Sequence, residues 1–214
     1  MAPSPSSYHH GDLRQTLIRE AETLLAEGGE EALSLRKLAD RVGVSRTAAY
    51  HHFKDKHDLL VAVAERGFEQ LNALLVSEQG GSTQGNPLER LSRAVAAYID
   101  FALNEAARYE LMFGSAFWRQ EPDERLQRRA RESFRFYAGL LGELHEAGVL
   151  AKPEDPLRLA QVMWASVHGL VKLAHDGILV RTSDLHDIAR YAVLRLLGPM
   201  SPDLSTTGVM PVPS

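Results

Sequence analysis

The chain has no cysteine among its 214 residues. That excludes a disulfide framework, a thiolate nucleophile and any metal site built on sulfur, and it fits a reducing, cytoplasmic compartment. There is no apolar run of about 18 residues, so no membrane-spanning helix and no membrane partner are expected. The start, MAPSPSSYHHGDLR, lacks the basic and then apolar plan of a signal peptide. Basic charge is not in surplus: 24 Lys and Arg face 28 Asp and Glu, a net charge of -4. A nucleic-acid surface must therefore be local. GxSxG, HExxH and phosphate-cradling glycine loops are all missing, so no catalytic residue and no cofactor are expected.

Alternation of apolar and polar residues is missing too, and so is any internal repeat. Apolar residues recur at helical spacing instead, between Pro and Gly breakers. This predicts an all-α fold of about nine helices. They run near 12–26, 34–42, 45–52, 56–77, 88–103, 106–113, 123–146, 156–175 and 184–197. SEQGGSTQGNP (residues 77–87) is the clearest break in composition. The proline- and serine-rich stretches 1–7 and 199–214 are expected to be disordered tails.

Residues 35–53, LRKLADRVGVSRTAAYHHF, carry a helix-turn-helix pattern. Ser34 and Ser45 are placed to cap its two helices. Ala39 is small enough for a close crossing, and Gly43 suits a tight turn at positive φ. At about 100° per residue, Arg46, Thr47, Tyr50 and His51 share the outward face of the second helix, while Ala49, His52 and Phe53 lie inward or at its flank. A short helix with a polar outer face that opens Ser-Arg-Thr suits a major groove. Lys54 and Lys56 bracket the start of the next helix, where a cation and free N–H groups would receive a phosphate. Tyr50 and His52 can each donate to a phosphate oxygen, and Arg36 and Lys37 lie on the preceding helix. The expected DNA-contacting set is Ser34, Arg36, Ser45, Arg46, Thr47, Tyr50, His51, His52, Lys54 and Lys56. Helix-turn-helix patterns also occur in bundles that bind nothing, so spacing alone leaves both readings open.

The wider segment LSLRKLADRVGVSRTAAYHHFKDKHDLLVAV (residues 33–63) resembles the tetracycline-repressor (TetR) family of bacterial transcription regulators. Ser34, Ala39, Gly43, Val44, Ser45, Tyr50, His52, Phe53, Lys56, Leu59 and Leu60 match its recurrent pattern without interruption. Thr47 stands where many members have glycine, and Ala49 where many have leucine. YHHGDLR (residues 8–14) is similar to the opening of one subgroup. WASVHG supplies Trp164, His168 and Gly169, similar to the Trp-His-Gly signature of a C-terminal domain type. The resemblance reaches from about residue 8 to 197. It implies a helix-turn-helix domain over 8–55 and a ligand-binding and dimerisation bundle over 56–198. The implied partners are double-stranded DNA with a palindromic operator, a small-molecule effector and a second copy of the chain. Release from the operator by the effector is the family's usual behaviour, with activators also known.

Other constellations have competing explanations. His51, His52 and His57 form the histidine cluster behind the alternative, an all-α metal-binding protein or enzyme. Adjacent helical histidines diverge by about 100°, however, and no metal site is expected. His9 and His10 belong to an arm leading to Asp12, read as a cap of the first helix. Tyr98, Phe113, Phe117, Trp118, Phe134, Tyr137, Trp164 and His168 are candidate walls of an effector pocket, with ordinary core packing as the alternative for each. Leu185, Ile188, Ala192, Val193, Leu196 and Leu197 form a broad stripe on the last helix. The resemblance points the last two helices, 156–175 and 184–197, at a dimer partner, with packing within the subunit as the alternative for the stripe.

Overall fold

The computed structural model describes residues 10–80, 86–114, 118, 123–150 and 155–198. Every regular element among them is helical, as the periodicity predicts. In chain order these are α1 (His10–Gly28), α2 (Leu35–Val42), α3 (Arg46–His52), α4 (Lys56–Gly80), α5 (Pro87–Asn104), α6 (Ala106–Phe113), α7 (Glu124–Glu146), α8 (Pro156–His175) and α9 (Leu185–Leu197). Short 3₁₀ turns at Glu30–Ala32 and Thr182–Asp184 precede α2 and α9. α1 starts two residues earlier than expected, so Asp12 lies inside its first turn and not at its cap. The tails 1–7 and 199–214 lie outside the described residues.

Packing divides the chain into two compact units. One holds residues up to 70 together with 105–129, and the other holds 71–104 with 130 onward. The first compact unit therefore includes the first half of α4 as well as α1 to α3. That half is tied to α1 by polar contacts: Arg66 reaches Gln15 at 3.0 Å and Glu22 at 3.0 Å.

In the first unit, α1 buries Leu13, Leu17, Ala21 and Leu24, one residue per helical turn. α2 contributes Leu35, Leu38 and Ala39, and α3 contributes Ala49. Phe53, just past α3, is fully buried. Burying a phenylalanine contributes about 1.5–3 kcal/mol, enough to seat a helix of only seven residues. Gly43 ends α2 in the left-handed region at φ 75, and its position gives the chain the sharp turn into α3. Arg41 fastens α2 to α1 through both Glu27 oxygens (2.6 and 3.1 Å) and through Glu20 (2.5 Å).

The second unit is built from α5, α7, α8 and α9 with the end of α4. α9 packs against α8 and α5. It does so with Leu185, Ala189, Val193 and Leu197, which recur every four residues and are all buried. This corrects the stripe expected to face a partner: Leu185, Val193 and Leu197 are spent inside the subunit. Of their large apolar residues, α9 leaves Tyr191 and Leu194 exposed and α8 leaves Leu157 and Val162. Among the described residues, no helix is long and apolar enough to cross a membrane.

Candidate nucleic-acid interface and aromatic cluster

The candidate interface begins with two serine caps. Ser34 Oγ accepts from the Lys37 N–H at 3.1 Å, and Ser45 Oγ accepts from the Ala48 N–H at 3.1 Å. Such caps contribute about 1 kcal/mol each. Capping uses an oxygen lone pair, so each hydroxyl proton stays available for a phosphate.

The angular layout expected for α3 is the one observed. Arg46, Thr47 and His51 are exposed, and Tyr50 is 55% exposed despite its ring. Ala49 is buried, and His52 is half-buried at the flank. Arg14 of α1 lies over the Phe53 ring, 5.1 Å from its centroid, and closes the underside of α3. The outward face is thus presented by a short helix whose other face is fixed. Arg36, Lys37 and Lys54 are exposed around it.

The start of α4 differs from the open N-terminus expected there. Asp55 Oδ1 accepts from the Asp58 N–H at 2.8 Å, and Asp58 Oδ2 accepts from the Lys54 N–H at 3.1 Å. This reciprocal cap occupies two donors and places two carboxylates where a phosphate was expected. Lys56 Nζ donates to the Glu30 carbonyl at 2.7 Å and lies 3.9 Å from the Glu30 carboxylate. An ammonium has three donors, so this contact holds Lys56 in place without exhausting it.

Beneath the helix-turn-helix lies an ionic cluster that the sequence reading missed. Glu22 of α1, its side chain only 10% exposed, meets Arg66 of α4 at 3.0 Å and Arg108 of α6 at 3.5 Å. Arg108 also reaches Glu105 at 3.1 Å and Gln70 at 2.6 Å. Burial outweighs the attraction of the two guanidinium groups and holds the Glu22 carboxyl above its ordinary value. A signal was present: Arg66 and Gln70 continue the spacing of Leu59 and Val63 along the buried face of α4.

In the second unit, α5, α7 and α8 bring together five of the eight candidate pocket residues. Tyr98 Oη and His168 Nδ1 are 2.9 Å apart. The Trp164 and His168 rings stack at 5.0 Å with 11° between planes. Phe134 meets Trp164 edge-on at 6.4 Å. Tyr137, one turn beyond Phe134, is buried, and its hydroxyl has no hydrogen-bond partner among the described residues. That burial pushes its phenol well above the ordinary value. Phe113 and Trp118 belong to the first unit. There Phe113 packs on Phe68 and Tyr109, and the Trp118 indole N–H donates to the Met112 carbonyl at 3.1 Å. Phe117 lies outside the described residues. Among the described residues, no group of three or more His, Asp or Glu is placed to hold a metal ion.

Residues 17–63 match the family model for bacterial regulatory proteins of the tetR family, and residues 91–196 match the tetracyclin repressor-like C-terminal domain. The transcriptional activator FasR of Mycolicibacterium smegmatis is 32% identical over 100 residues, covering 47% of this chain and 45% of the relative. The transcriptional repressor BepR of Brucella suis is 27% identical over 169 residues, covering 75% of this chain and 79% of the relative. Several curated relatives are matched over less than half their length, two tetracycline repressors over 24% and 23%. A solved structure of a protein of unknown function from Rhodococcus sp. RHA1 superposes with a TM-score of 0.77 at 31% identity, covering 90% of this chain and 97% of that one. The chain belongs to the tetracycline-repressor family of bacterial regulatory proteins.

Proposed function

We propose that the protein is a cytoplasmic, homodimeric transcription regulator that binds a palindromic operator and is released from it by a small-molecule effector. The observation that carries the DNA-binding part is α3, with Arg46, Thr47, Tyr50 and His51 exposed together over a buried anchor of Ala49 and Phe53. Arg46 and Thr47, at the helix N-terminus, read base edges. Ser34, Arg36, Ser45, Tyr50, His52, Lys54 and Lys56 hold the phosphate backbone, with His51 at the rim of the groove. The Glu30 carbonyl pre-positions Lys56 for that contact.

Repression is the preferred direction, since the repressor BepR is matched over three quarters of this chain and the activator FasR over about half. The effector occupies the second unit against Tyr98, Phe134, Tyr137, Trp164 and His168; the Phe134, Trp164 and His168 rings contact one another there, and the buried Tyr137 hydroxyl has no hydrogen-bond partner among the described residues. Dimerisation uses the apolar residues that α8 and α9 leave exposed, Leu157, Val162, Tyr191 and Leu194.

Binding of variants to a series of related duplexes tests the division of labour on α3. Arg46→Ala should change which duplex is preferred, at a cost of about 1–3 kcal/mol on the preferred one. Tyr50→Phe and Lys56→Ala should weaken all duplexes about equally, and Lys56→Ala should flatten the salt dependence by about one charge. An Arg46→Ala protein with unchanged ranking of duplexes contradicts the base-reading role.

A further inference from the structure

Between α1, the first half of α4 and the first turn of α7 lies a polar cavity of about 270 Å³. All three stretches belong to the first compact unit. Ligand cavities usually run from about 300 Å³ upward, so this one suits a small molecule. Five charged side chains line it: Arg14, Arg66, Arg125, Glu65 and Glu69. Ile18 and Ala62, both buried, supply the apolar part of the lining.

Three of the five charges are matched within the unit. Arg66 is held by Glu22 at 3.0 Å and by Gln15 at 3.0 Å. Arg125 forks onto Asp123, with Nε and Nη2 each 3.2 Å from a carboxylate oxygen. Glu69 pairs with Arg129 at 2.8 Å.

Two charges of opposite sign are left over. Arg14 makes no hydrogen bond or ion pair among the described residues; its contact is with the Phe53 ring, 5.1 Å from the centroid. That contact holds the guanidinium in place and leaves its N–H donors unspent. Glu65 also makes no hydrogen bond or ion pair among the described residues, and Arg125 feels it through charge alone. Both side chains are half-buried. They line one small cavity and yet do not come within ion-pair distance of each other.

A partly buried charge gains from a partner that replaces its lost water. A lone anion on Arg14 is repelled by Glu65, and a lone cation on Glu65 is repelled by Arg14 and Arg125. A molecule that carries both signs meets both walls at once, and the mismatched charge turns the single-sign molecules away.

We propose that this cavity binds a small zwitterion of the amino-acid class, with its carboxylate on Arg14 and its ammonium on Glu65. The site is independent of the effector reading, whose residues lie in the second unit.

Calorimetric titration of the full chain tests it. The probes are glycine and 4-aminobutyrate, zwitterions of two spans, with acetate and methylammonium as single-charge controls. The expected result is saturable binding of at least one zwitterion with a Kd of about 1 mM or tighter, at least tenfold tighter than either control. Glu65→Gln keeps the shape of the side chain and breaks no hydrogen bond or ion pair, so it should fold as the wild type does. It should weaken the zwitterion at least tenfold and strengthen acetate, because the repelling charge is gone. Absence of saturable binding by both zwitterions overturns the proposal, since the two charges are then simply hydrated. Acetate that binds the wild type as tightly as the zwitterions also overturns it and leaves a plain anion site. Zwitterion binding that Glu65→Gln leaves unchanged overturns it as well, since the molecule is then held elsewhere on the chain.

Discussion

Tyr137 is a case where a stability measurement and a binding measurement are expected to move in opposite directions. Its hydroxyl is buried and has no hydrogen-bond partner among the described residues, and the Phe134, Trp164 and His168 rings pack together in the same unit. A buried hydroxyl without a partner costs about 1–3 kcal/mol. Tyr137→Phe should therefore raise the unliganded stability by about 1 kcal/mol, read by chemical denaturation. If the hydroxyl is there for the effector, the same change should weaken effector binding about tenfold, read by the thermal shift an effector produces. A variant both less stable and unchanged in binding contradicts that use of the residue. Position along the helix explains which side chains could be foreseen. The outward set on α3 follows from angle alone, because a seven-residue helix with one buried anchor has little freedom in how it is turned. The Tyr98–His168 contact joins residues 70 positions apart on different helices. No local pattern encodes such a pairing, although both residues were candidates individually.

At the scale of elements, helix limits were legible because breakers and caps sit at nearly every end. Ser34, Ser45 and Gly43 each act where the sequence placed them. Two features were not legible, for different reasons. The open N-terminus expected at α4 is closed by Asp55 and Asp58, whose roles depend on side-chain rotation and not on spacing. The stripe on α9 was broad enough to serve two surfaces, and the four-residue set Leu185, Ala189, Val193 and Leu197 was taken by α5 and α8. The contact among α1, α4 and α6 gives a prediction at this scale. Glu22 binds its proton more tightly folded than unfolded, since burial holds its carboxyl above the ordinary value. Its contribution to stability is then full below the ordinary carboxylate range and is lost as pH rises through the raised value. Glu22→Gln removes that titration. The melting temperature of the wild type should accordingly fall relative to the variant as pH rises through the acid range. A gap that widens in favour of the wild type would mean that pairing with Arg66 and Arg108 outweighs the burial.

For the whole molecule, charge was an uninformative guide and its distribution an informative one. A net charge of -4 coexists with exposed Arg36, Lys37, Arg46 and Lys54 around one short helix. The division into two compact units places α4 in both, since residues up to 70 belong to one and those from 71 to the other. The two matching family models follow one another along the chain, over residues 17–63 and 91–196. The most direct measurement is selection of bound duplexes from a random pool by the purified full chain, followed by sequencing. The account predicts enrichment of an inverted repeat, with half-site centres about 10 base pairs or a multiple of that apart. It also predicts loss or change of that repeat with Arg46→Ala. A pool that stays unenriched, or a repeat that Arg46→Ala selects unchanged, contradicts the claim that α3 is the reading element of a dimeric regulator.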